Sequence, residues 1–343
     1  MEGYWKGRAM EETIHSKSAK VVKLEKSRKG LSFKRHFTRE GIDPLEAVKY
    51  ARRRSVISEP DGSVVFEFED AEVPEDWTQL ATDIVVSKYF RKAGVPGMGR
   101  ETSVKQVIHR ITHAVRAYGE EKGYFATPLD AEVFEHELSM LLVTQRGAFN
   151  SPVWFNCGLY QSYGIKGSGG NWHWDGGQQA PVMLENNYEA PQCSACFIQR
   201  VEDDLMSIFG LVQKEARVFK YGSGTGTNFS RLRSKHEKLA GGGTSSGVMS
   251  FLEVFDKGAG ATKSGGTTRR AAKMVILDMD HPEIVDFIRW KAKEERKAKI
   301  LIKSGMESNF NGEAYATVSG QNSNNSVRIT DEFMKAYEND AEW

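Results

Sequence analysis

The second half of the sequence alternates short β-prone runs with helical patterns. Strands are predicted from Cys193 to Val201 and from Lys273 to Asp278. Helices are predicted from about Asp203 to Phe219, from about Val248 to Lys257, and after His281-Pro282. Strands and helices that alternate in this way are typical of an α/β architecture.

Two glycine-rich loops interrupt this alternation. The first, from Tyr221 to Asn228, alternates glycine with serine and threonine, and the second, from Lys263 to Arg270, ends in paired arginines. Glycine lets a backbone approach a ligand closely, and guanidinium groups can hold phosphate. The first loop is neither a Walker loop nor a dinucleotide fingerprint, because it lacks Gly-Lys-Ser/Thr and follows a helix, so a tight turn explains it equally well. The paired arginines, like Arg231 and Arg233, fit either phosphate binding or ordinary solvation.

Three cysteines stand in this chain of 343 residues: Cys157, Cys193 and Cys196. So few cysteines exclude a secreted disulfide framework and indicate a reducing, cytoplasmic location. Cys193 and Cys196 have the spacing of a redox pair or of half a zinc site, but no second pair completes such a site. On one strand they would point to opposite faces. Cys157 is predicted to be a buried, inert thiol.

Composition excludes several classes of protein. The chain is 39% hydrophobic and 27% charged, which is typical of a globular protein. Its net charge of +1 is too small to create an overall electrostatic field that would attract nucleic acid or an anionic membrane. No apolar run approaches the roughly 18 residues of a membrane span. Residues 1–30 are polar and basic, which predicts a disordered arm and not a secretory signal.

Residues 31–146 are predicted to form a mostly helical N-terminal region. A short strand is expected from Ser63 to Glu69, where polar and apolar residues alternate. Capping residues and apolar periodicity predict helices over Pro44 to Arg53, Asp76 to about Gly94, Thr102 or Ser103 to Tyr118, and Asp130 to Val143.

His109 and His113 lie four residues apart in the third of these helices. Such a pair can bind a metal ion, but the sequence places no glutamate or other third ligand beside it. A surface or packing role is therefore the interpretation, and no metal site is predicted.

The sequence changes in character after Gly147. The aromatic run from Ala148 to Gly158 predicts a buried strand or strand-loop. The polar, glycine-rich segment from Tyr160 to Glu189 predicts a long insertion loop, of a kind that is usually functional or mobile.

Six motifs then occur in the order found in a known family. They are Asn150–Asn156, Ser194–Ile198, Gly222–Asn228, Gly241–Gly247, Lys263–Lys273 and Asn324–Arg328. Together they resemble the adenosylcobalamin-dependent (class II) ribonucleotide reductases, from about Phe33 to the C-terminus. The combination is very specific, although each motif alone is not.

The resemblance implies a fold and a chemistry. Residues 147–343 would form the first part of a ten-stranded α/β barrel, preceded by the helical region. With adenosylcobalamin as cofactor, a thiyl radical on a loop cysteine abstracts hydrogen from the ribose of a ribonucleotide. The 2′-hydroxyl then leaves as water, and two other cysteines become a disulfide.

Site residues follow from the same motifs. Cys196 resembles the first cysteine of the family's reducing pair, whereas Cys193 does not match a cysteine of the family pattern. The substrate-binding positions implied are Ser151, Ala195, Cys196, Gly224 and Arg269, the last in a loop (residues 265–270) that resembles the family's specificity loop. The effector-binding positions implied are Asp203, Arg231 and Arg233, with Asp203 also expected to cap its helix.

The family's radical cysteine lies in an Asn-x-Cys-x-Glu motif, which this sequence does not contain, and the redox partner of Cys196 is also missing. We therefore expect a fragment, or one piece of a split enzyme with a separate C-terminal half, that is inactive alone. The resemblance also implies a ribonucleotide substrate, a deoxynucleotide effector, a dithiol reductant such as thioredoxin and a homodimer, with no nucleic acid or membrane partner. Two alternatives stay open: a reductase of another radical class, such as a glycyl radical enzyme, and a non-catalytic deoxynucleotide-binding module.

Overall fold

A computed structural model describes residues 30–58, 62, 64–262, 271–308 and 312–343. The strands are β1 (Tyr50–Ser58), β2 (Val64–Pro74), β3 (Trp172–Asp175), β4 (Ala180–Met183), β5 (Cys196–Gln199), β6 (Gly224–Asn228), β7 (Lys273–Asp278) and β8 (Ser323–Arg328). The helices are α1 (Gln79–Ile84), followed by a π-helical turn (Val85–Tyr89), α2 (Val104–Glu121), α3 (Pro128–Val143), α4 (Ser151–Asn156), α5 (Leu159–Tyr163), α6 (Leu205–Lys220), α7 (Gly247–Ala261), α8 (Ile284–Lys303), α9 (Glu313–Thr317) and α10 (Asp331–Glu338). The predicted arm lies outside the described residues, apart from Gly30.

The N-terminal region contains an antiparallel strand pair as well as helices. The helix predicted from Pro44 to Arg53 is wrong, because the chain makes only a turn after Asp43 and then extends into β1. β1 pairs with β2 from Tyr50 opposite Pro74 onward. The backbone hydrogen bonds with β2 stabilise the extended conformation of these residues. The helix prediction failed because it considered only the local sequence pattern. The predicted strand at Ser63–Glu69 corresponds to β2, which extends further than expected.

Helix α2 confirms the prediction from capping and periodicity, and α3 confirms the predicted helix that ends at Val143 but begins at Pro128, two residues earlier than expected. Ser103 caps α2 in a capping box with Gln106, and Thr127 caps α3 just before Pro128. The apolar stripe of α2 packs with β2, the π-helical turn and α4 in one core. That core therefore joins the N-terminal region to the first helix of the next segment.

The aromatic run predicted as a strand instead forms the short helix α4. Pro152 stands in its first turn, where the missing N–H costs nothing, whereas a central strand would need that N–H for its ladder. The long loop predicted after it contains α5 and a hairpin of β3 and β4, with Trp172 opposite Met183. The prediction of an unstructured insertion is thus wrong in part.

Strands β5, β6, β7 and β8 form one parallel sheet in chain order. Helices α6, α7 and α8 pack on one face of it, sharing a buried core with β7. The opposite face lies open in the described residues: Ile198 is 86% exposed and Met274 is 41% exposed. The α/β architecture is confirmed, whereas the ten-stranded barrel stays a prediction.

The first glycine loop is largely strand β6, which runs between β5 and β7. A Cβ on Gly224 would stand 2.7 Å from the carbonyl oxygen of Ala272, closer than carbon and oxygen can pack. A Cβ on Gly226 would stand 3.4 Å from Cδ1 of Ile198, which is an ordinary van der Waals contact. Glycine at position 224 therefore lets β6 fit against the chain at the start of β7. None of the described helices is long and apolar enough to cross a lipid bilayer.

Candidate functional site

Cys196, Ala195 and Gly224 meet at the amino ends of β5 and β6. Cys196 and Gly224 are partners in the strand register, and the Gly224 N–H donates to the Ala195 carbonyl at 2.6 Å. The Ser223 hydroxyl donates to the Ser194 carbonyl at the same distance of 2.6 Å. Cys196 is exposed at this edge. Three of the predicted substrate residues thus lie together.

Helix α4 carries Ser151, the fourth predicted substrate residue, in its first turn. The Ser151 hydroxyl lies 3.0 Å from the hydroxyl of Tyr89. At the other end of α4, the buried Asn156 amide donates to the carbonyls of Gln192 (3.0 Å) and Tyr221 (3.2 Å). Gln192 precedes Cys196 and Tyr221 precedes Gly224 in the chain. Asn156 therefore fixes α4 against the segments that lead into β5 and β6.

The buried Arg110 of α2 also holds α4. The Arg110 guanidinium donates to the carbonyls of Cys157 (2.6 Å) and Trp154 (2.8 Å), and its Nε pairs with Glu101 at 2.7 Å. Gly158 follows with a φ of 78°, and a Cβ there would collide with the Arg110 carbonyl. Sequence reasoning missed Arg110, although a charged residue inside the apolar stripe of a helix was a signal.

The other two thiols form a pair of their own. The Cys193 thiol shares a hydrogen bond with the buried Cys157 thiol, which, together with burial, raises the pKa of Cys157. The same hydrogen bond lowers the pKa of Cys193, which is exposed. Both thiols line a cavity of about 620 Å³ that Phe197 also borders. Cys157 is buried as predicted, and Cys196 is not among the residues that line this cavity.

The three predicted effector residues also cluster. Arg233 pairs with Asp203, with 2.6 Å between Nε and Oδ2. Arg231 pairs with the neighbouring Glu202 at 3.0 Å. The helix cap is Asp204, whose carboxylate accepts the Ser207 N–H, so the expectation that Asp203 caps α6 is wrong. Asp203 is instead turned toward Arg233.

The two clusters lie at opposite ends of the sheet. Cys196 begins β5, whereas Asp203 and Arg233 follow the carboxyl ends of β5 and β6. β5 spans four residues, which separates the two ends by about 10 Å along the strand. The predicted substrate residues and the predicted effector residues therefore lie at opposite ends of one sheet.

A buried ion pair, which sequence reasoning missed, lies on the helix-covered face. Lys273 at the start of β7 pairs with Glu215 of α6, and both side chains are almost wholly buried. The Thr225 hydroxyl donates to the same carboxylate at 3.2 Å. Burial lowers the pKa of Lys273 and raises that of Glu215, while their pairing opposes both shifts. Arg269 and the rest of the predicted specificity loop lie outside the described residues, and Lys273 fixes the chain just after them.

Comparison with known proteins decides the family. A profile described as "Class II vitamin B12-dependent ribonucleotide reductase" matches residues 51–145, and "Ribonucleotide reductase, barrel domain" matches residues 194–343. A vitamin B12-dependent ribonucleotide reductase of Rhodopirellula baltica is 50% identical over 314 residues, which are 91% of this chain and 30% of that protein. This chain belongs to the vitamin B12-dependent ribonucleotide reductase family.

Other reductases of the family match over the same region. The Streptomyces coelicolor vitamin B12-dependent ribonucleotide reductase is 46% identical over 92% of this chain and 30% of its own length. The Agrobacterium fabrum reductase of the same name is 38% identical over 91% of this chain and 33% of its own length. The chain thus spans about a third of these relatives. A solved class Id ribonucleotide reductase alpha subunit of Actinobacillus ureae aligns at 16% identity, with a TM-score of 0.42, over 72% of this chain and 33% of its own.

Proposed function

We propose that this chain forms the substrate, reducing-thiol and effector side of a vitamin B12-dependent ribonucleotide reductase, for the synthesis of DNA precursors. The observation that carries the proposal is the exposed Cys196 thiol at the amino end of β5, in register with Gly224. A thiol that reduces a bound ribose must be accessible and held on a rigid element. Cys196 meets both conditions, whereas Cys157 is buried.

In the proposed reaction, Cys196 is one of two reducing thiols. Two thiols together supply two electrons and two protons, the ribose C2′–O bond breaks, and a C2′–H bond forms in its place. The 2′-hydroxyl leaves as water, and the thiols become a disulfide. The second thiol would come from outside these residues, because Cys193 faces Cys157 instead. A dithiol such as thioredoxin would then reduce the disulfide.

The substrate would lie along the amino ends of β5 and β6. Gly224 packs closely against the Ala272 carbonyl, so no side chain stands beside the Cys196 thiol at this point of the strand register. The Ser151 hydroxyl, held by Tyr89, is a polar group available on the neighbouring helix. Arg269 is proposed as a further substrate contact from the specificity loop.

Adenosylcobalamin is the proposed cofactor, and when bound it would supply the radical that starts catalysis. The sequence contains no Asn-x-Cys-x-Glu motif, so its three cysteines do not match the radical cysteine of the family. The residues present therefore do not fit the cofactor's reaction centre. We propose that a further C-terminal region, in the same chain or a separate one, completes the enzyme.

The cluster of Asp203, Arg231 and Arg233 would bind a deoxynucleotide effector. Arg231 and Arg233 offer guanidinium groups to phosphate, and Asp203 can accept hydrogen bonds from a deoxyribose hydroxyl. Because these side chains are partly exposed, a nucleotide or a second protomer can reach them. A homodimer is proposed, and light scattering with and without deoxynucleotide tests it.

The decisive experiment supplies the remaining part of the enzyme. The 343-residue chain is assayed alone and with the part of the Rhodopirellula baltica reductase that follows the matching region, with adenosylcobalamin and a dithiol. We expect ribonucleotide reduction only in the mixture, and its loss in Cys196→Ser. Turnover by Cys196→Ser would overturn the assignment of that thiol.

The same assay separates the remaining alternatives. Reduction without added cobalamin would indicate another radical class. A chain that binds deoxynucleotides but supports no reduction in any mixture would be a regulatory module. Calorimetry with deoxynucleotides on Cys196→Ser serves as the control, because this substitution leaves the Asp203 cluster untouched and should leave binding intact.

A further inference from the structure

Two exposed histidines of α2 stand beside a glutamate of α3. His109 and His113 are one helical turn apart, and their rings stack with 5.3 Å between centroids and 7° between planes. Glu135 of α3 approaches the same point, with 3.4 Å between its Oε1 and Nδ1 of His113. One ligand atom from each of the three residues lies within 4.8 Å of the others.

We propose that His109, His113 and Glu135 form a binding site for a divalent transition metal ion such as Zn²⁺. Two imidazoles and one carboxylate are ligands that zinc accepts, with a water in the fourth position. Zn²⁺ is preferred over Mg²⁺ because imidazole is a poor ligand for magnesium. The proposal is independent of the proposed reductase function.

The geometry needs little adjustment to hold the ion. Ligand atoms around a tetrahedral zinc lie about 3.4 Å apart, given bonds of about 2.0–2.1 Å, so movements of about 1–2 Å suffice. Both histidines are exposed, so their rings can rotate without disturbing the core. Glu135, by contrast, is nearly buried, with only 10% of its side chain exposed, and is held in place.

A second contact fixes the carboxylate of Glu135. Nη1 of Arg116 lies 2.8 Å from Oε2 of Glu135, which leaves Oε1 directed at His113. Arg116 is itself held by Glu120 at 3.2 Å. A hydrogen-bonded partner on the oxygen that does not bind the metal is a common feature of metal sites, because it orients the ligand. The ion would thus connect α2 to α3 while Arg116 keeps its contact.

Calorimetric titration with Zn²⁺ in a non-chelating buffer tests the site on the full 343-residue chain. We expect one equivalent to bind to the wild type and to His236→Ala, a control that removes an exposed histidine elsewhere. His109→Ala and Glu135→Gln should each weaken binding at least tenfold. His109→Ala is the cleaner variant, because Glu135→Gln also alters the contact with Arg116.

Three results would overturn the proposal. The first is zinc affinity in His109→Ala equal to that of the wild type, and the second is no heat of binding at all. The third is loss of the zinc equivalent in a Cys193→Ser/Cys196→Ser double variant, since the ion would then lie on thiols. Co²⁺ provides an independent readout: its spectrum should lack a thiolate charge-transfer band and should change in His109→Ala. Mg²⁺ should produce no heat.

Discussion

Nε of Arg233 lies 2.6 Å from Oδ2 of Asp203, and the Arg233 N–H donates to Oδ1 of the same carboxylate at 3.2 Å. Two residues that are thirty positions apart therefore form a single polar unit at the carboxyl end of the sheet. The pair is partly exposed, with 39% and 33% of the side chains accessible, so it contributes little to stability. Their partial exposure leaves both side chains accessible to solvent and is compatible with the proposed effector site.

Arg233→Ala is expected to weaken deoxynucleotide binding by roughly tenfold or more, because a charge-assisted contact to phosphate is lost. The urea midpoint should stay close to that of the wild type. Calorimetry measures the binding, and Arg200→Ala, which removes another exposed arginine that pairs with Glu202, is the matched control. Equal binding by Arg233→Ala and the wild type would remove Arg233 from the effector site.

Asn156→Ala should loosen the edge that carries Cys196 and Gly224. The substitution leaves the carbonyls of Gln192 and Tyr221 without their partner, at a cost of about 1–3 kcal/mol. Hydrogen exchange should become faster at the Gly224 amide, which donates to Ala195. Asn339→Ala, which removes one exposed side-chain contact to a helix carbonyl, is the control and should leave that amide unchanged.

Lys273→Met should destabilise the protein by about 3–5 kcal/mol, because it leaves the Glu215 carboxylate buried without a charged partner. Urea unfolding measures the loss. The double variant Lys273→Met/Glu215→Leu removes both charges and should recover most of the stability. If the single variant unfolds at the wild-type midpoint, the pair is not the anchor that the geometry indicates.

Cys193 should react with iodoacetamide faster in the wild type than in Cys157→Ala near neutral pH. The hydrogen bond from Cys157 lowers the pKa of Cys193, and the thiolate is the nucleophile. Cys157→Ser keeps a hydroxyl donor and should preserve the rate. Peptide mass spectrometry follows each site, with Cys196 as an internal reference. An alkylation rate of Cys193 that is the same in the wild type, Cys157→Ala and Cys157→Ser would contradict this explanation.

Glu137 should make stability depend on acid pH. Burial alone would raise its pKa, but hydrogen bonds from the Thr38 hydroxyl and from the N–H groups of residues 36–38 lower it below the ordinary value. A group with a depressed pKa stabilises the fold above its unfolded-state pKa of about 4.3 and loses that contribution as the pH falls through its folded-state value.

Between about pH 5 and pH 3, the wild type should therefore lose more unfolding free energy than Glu137→Gln, which cannot titrate. Urea unfolding at several pH values measures the difference. Parallel pH curves for the two proteins would show that Glu137 does not contribute in this range.

The family, the α/β character of the second half and several helix starts were predictable from the amino-acid sequence alone. Six short motifs in a fixed order were specific for the family, although each motif alone was not. Helix starts were predictable because a cap such as Ser103 bonds to residues within the first helical turn. The identity of Cys196 as a candidate thiol also came from a local motif. Local chemistry was sufficient wherever the deciding partners were neighbours in sequence.

The remaining features depend on tertiary contacts. β6 forms between β5 and β7, which are remote from it in sequence, and β1 is a strand because the adjacent β2 provides its ladder. The helix α4 is held by Arg110 and Asn156. The partners of Lys273 and of Cys157 stand 58 and 36 positions away, respectively. Glu135 likewise reaches the two histidines only because α3 packs against α2. Buried ion pairs, thiol pairs and clusters of ligand atoms form only where two segments pack against each other. Which segments pack together is determined by the packing free energy of the whole chain, and a local motif does not contain that information.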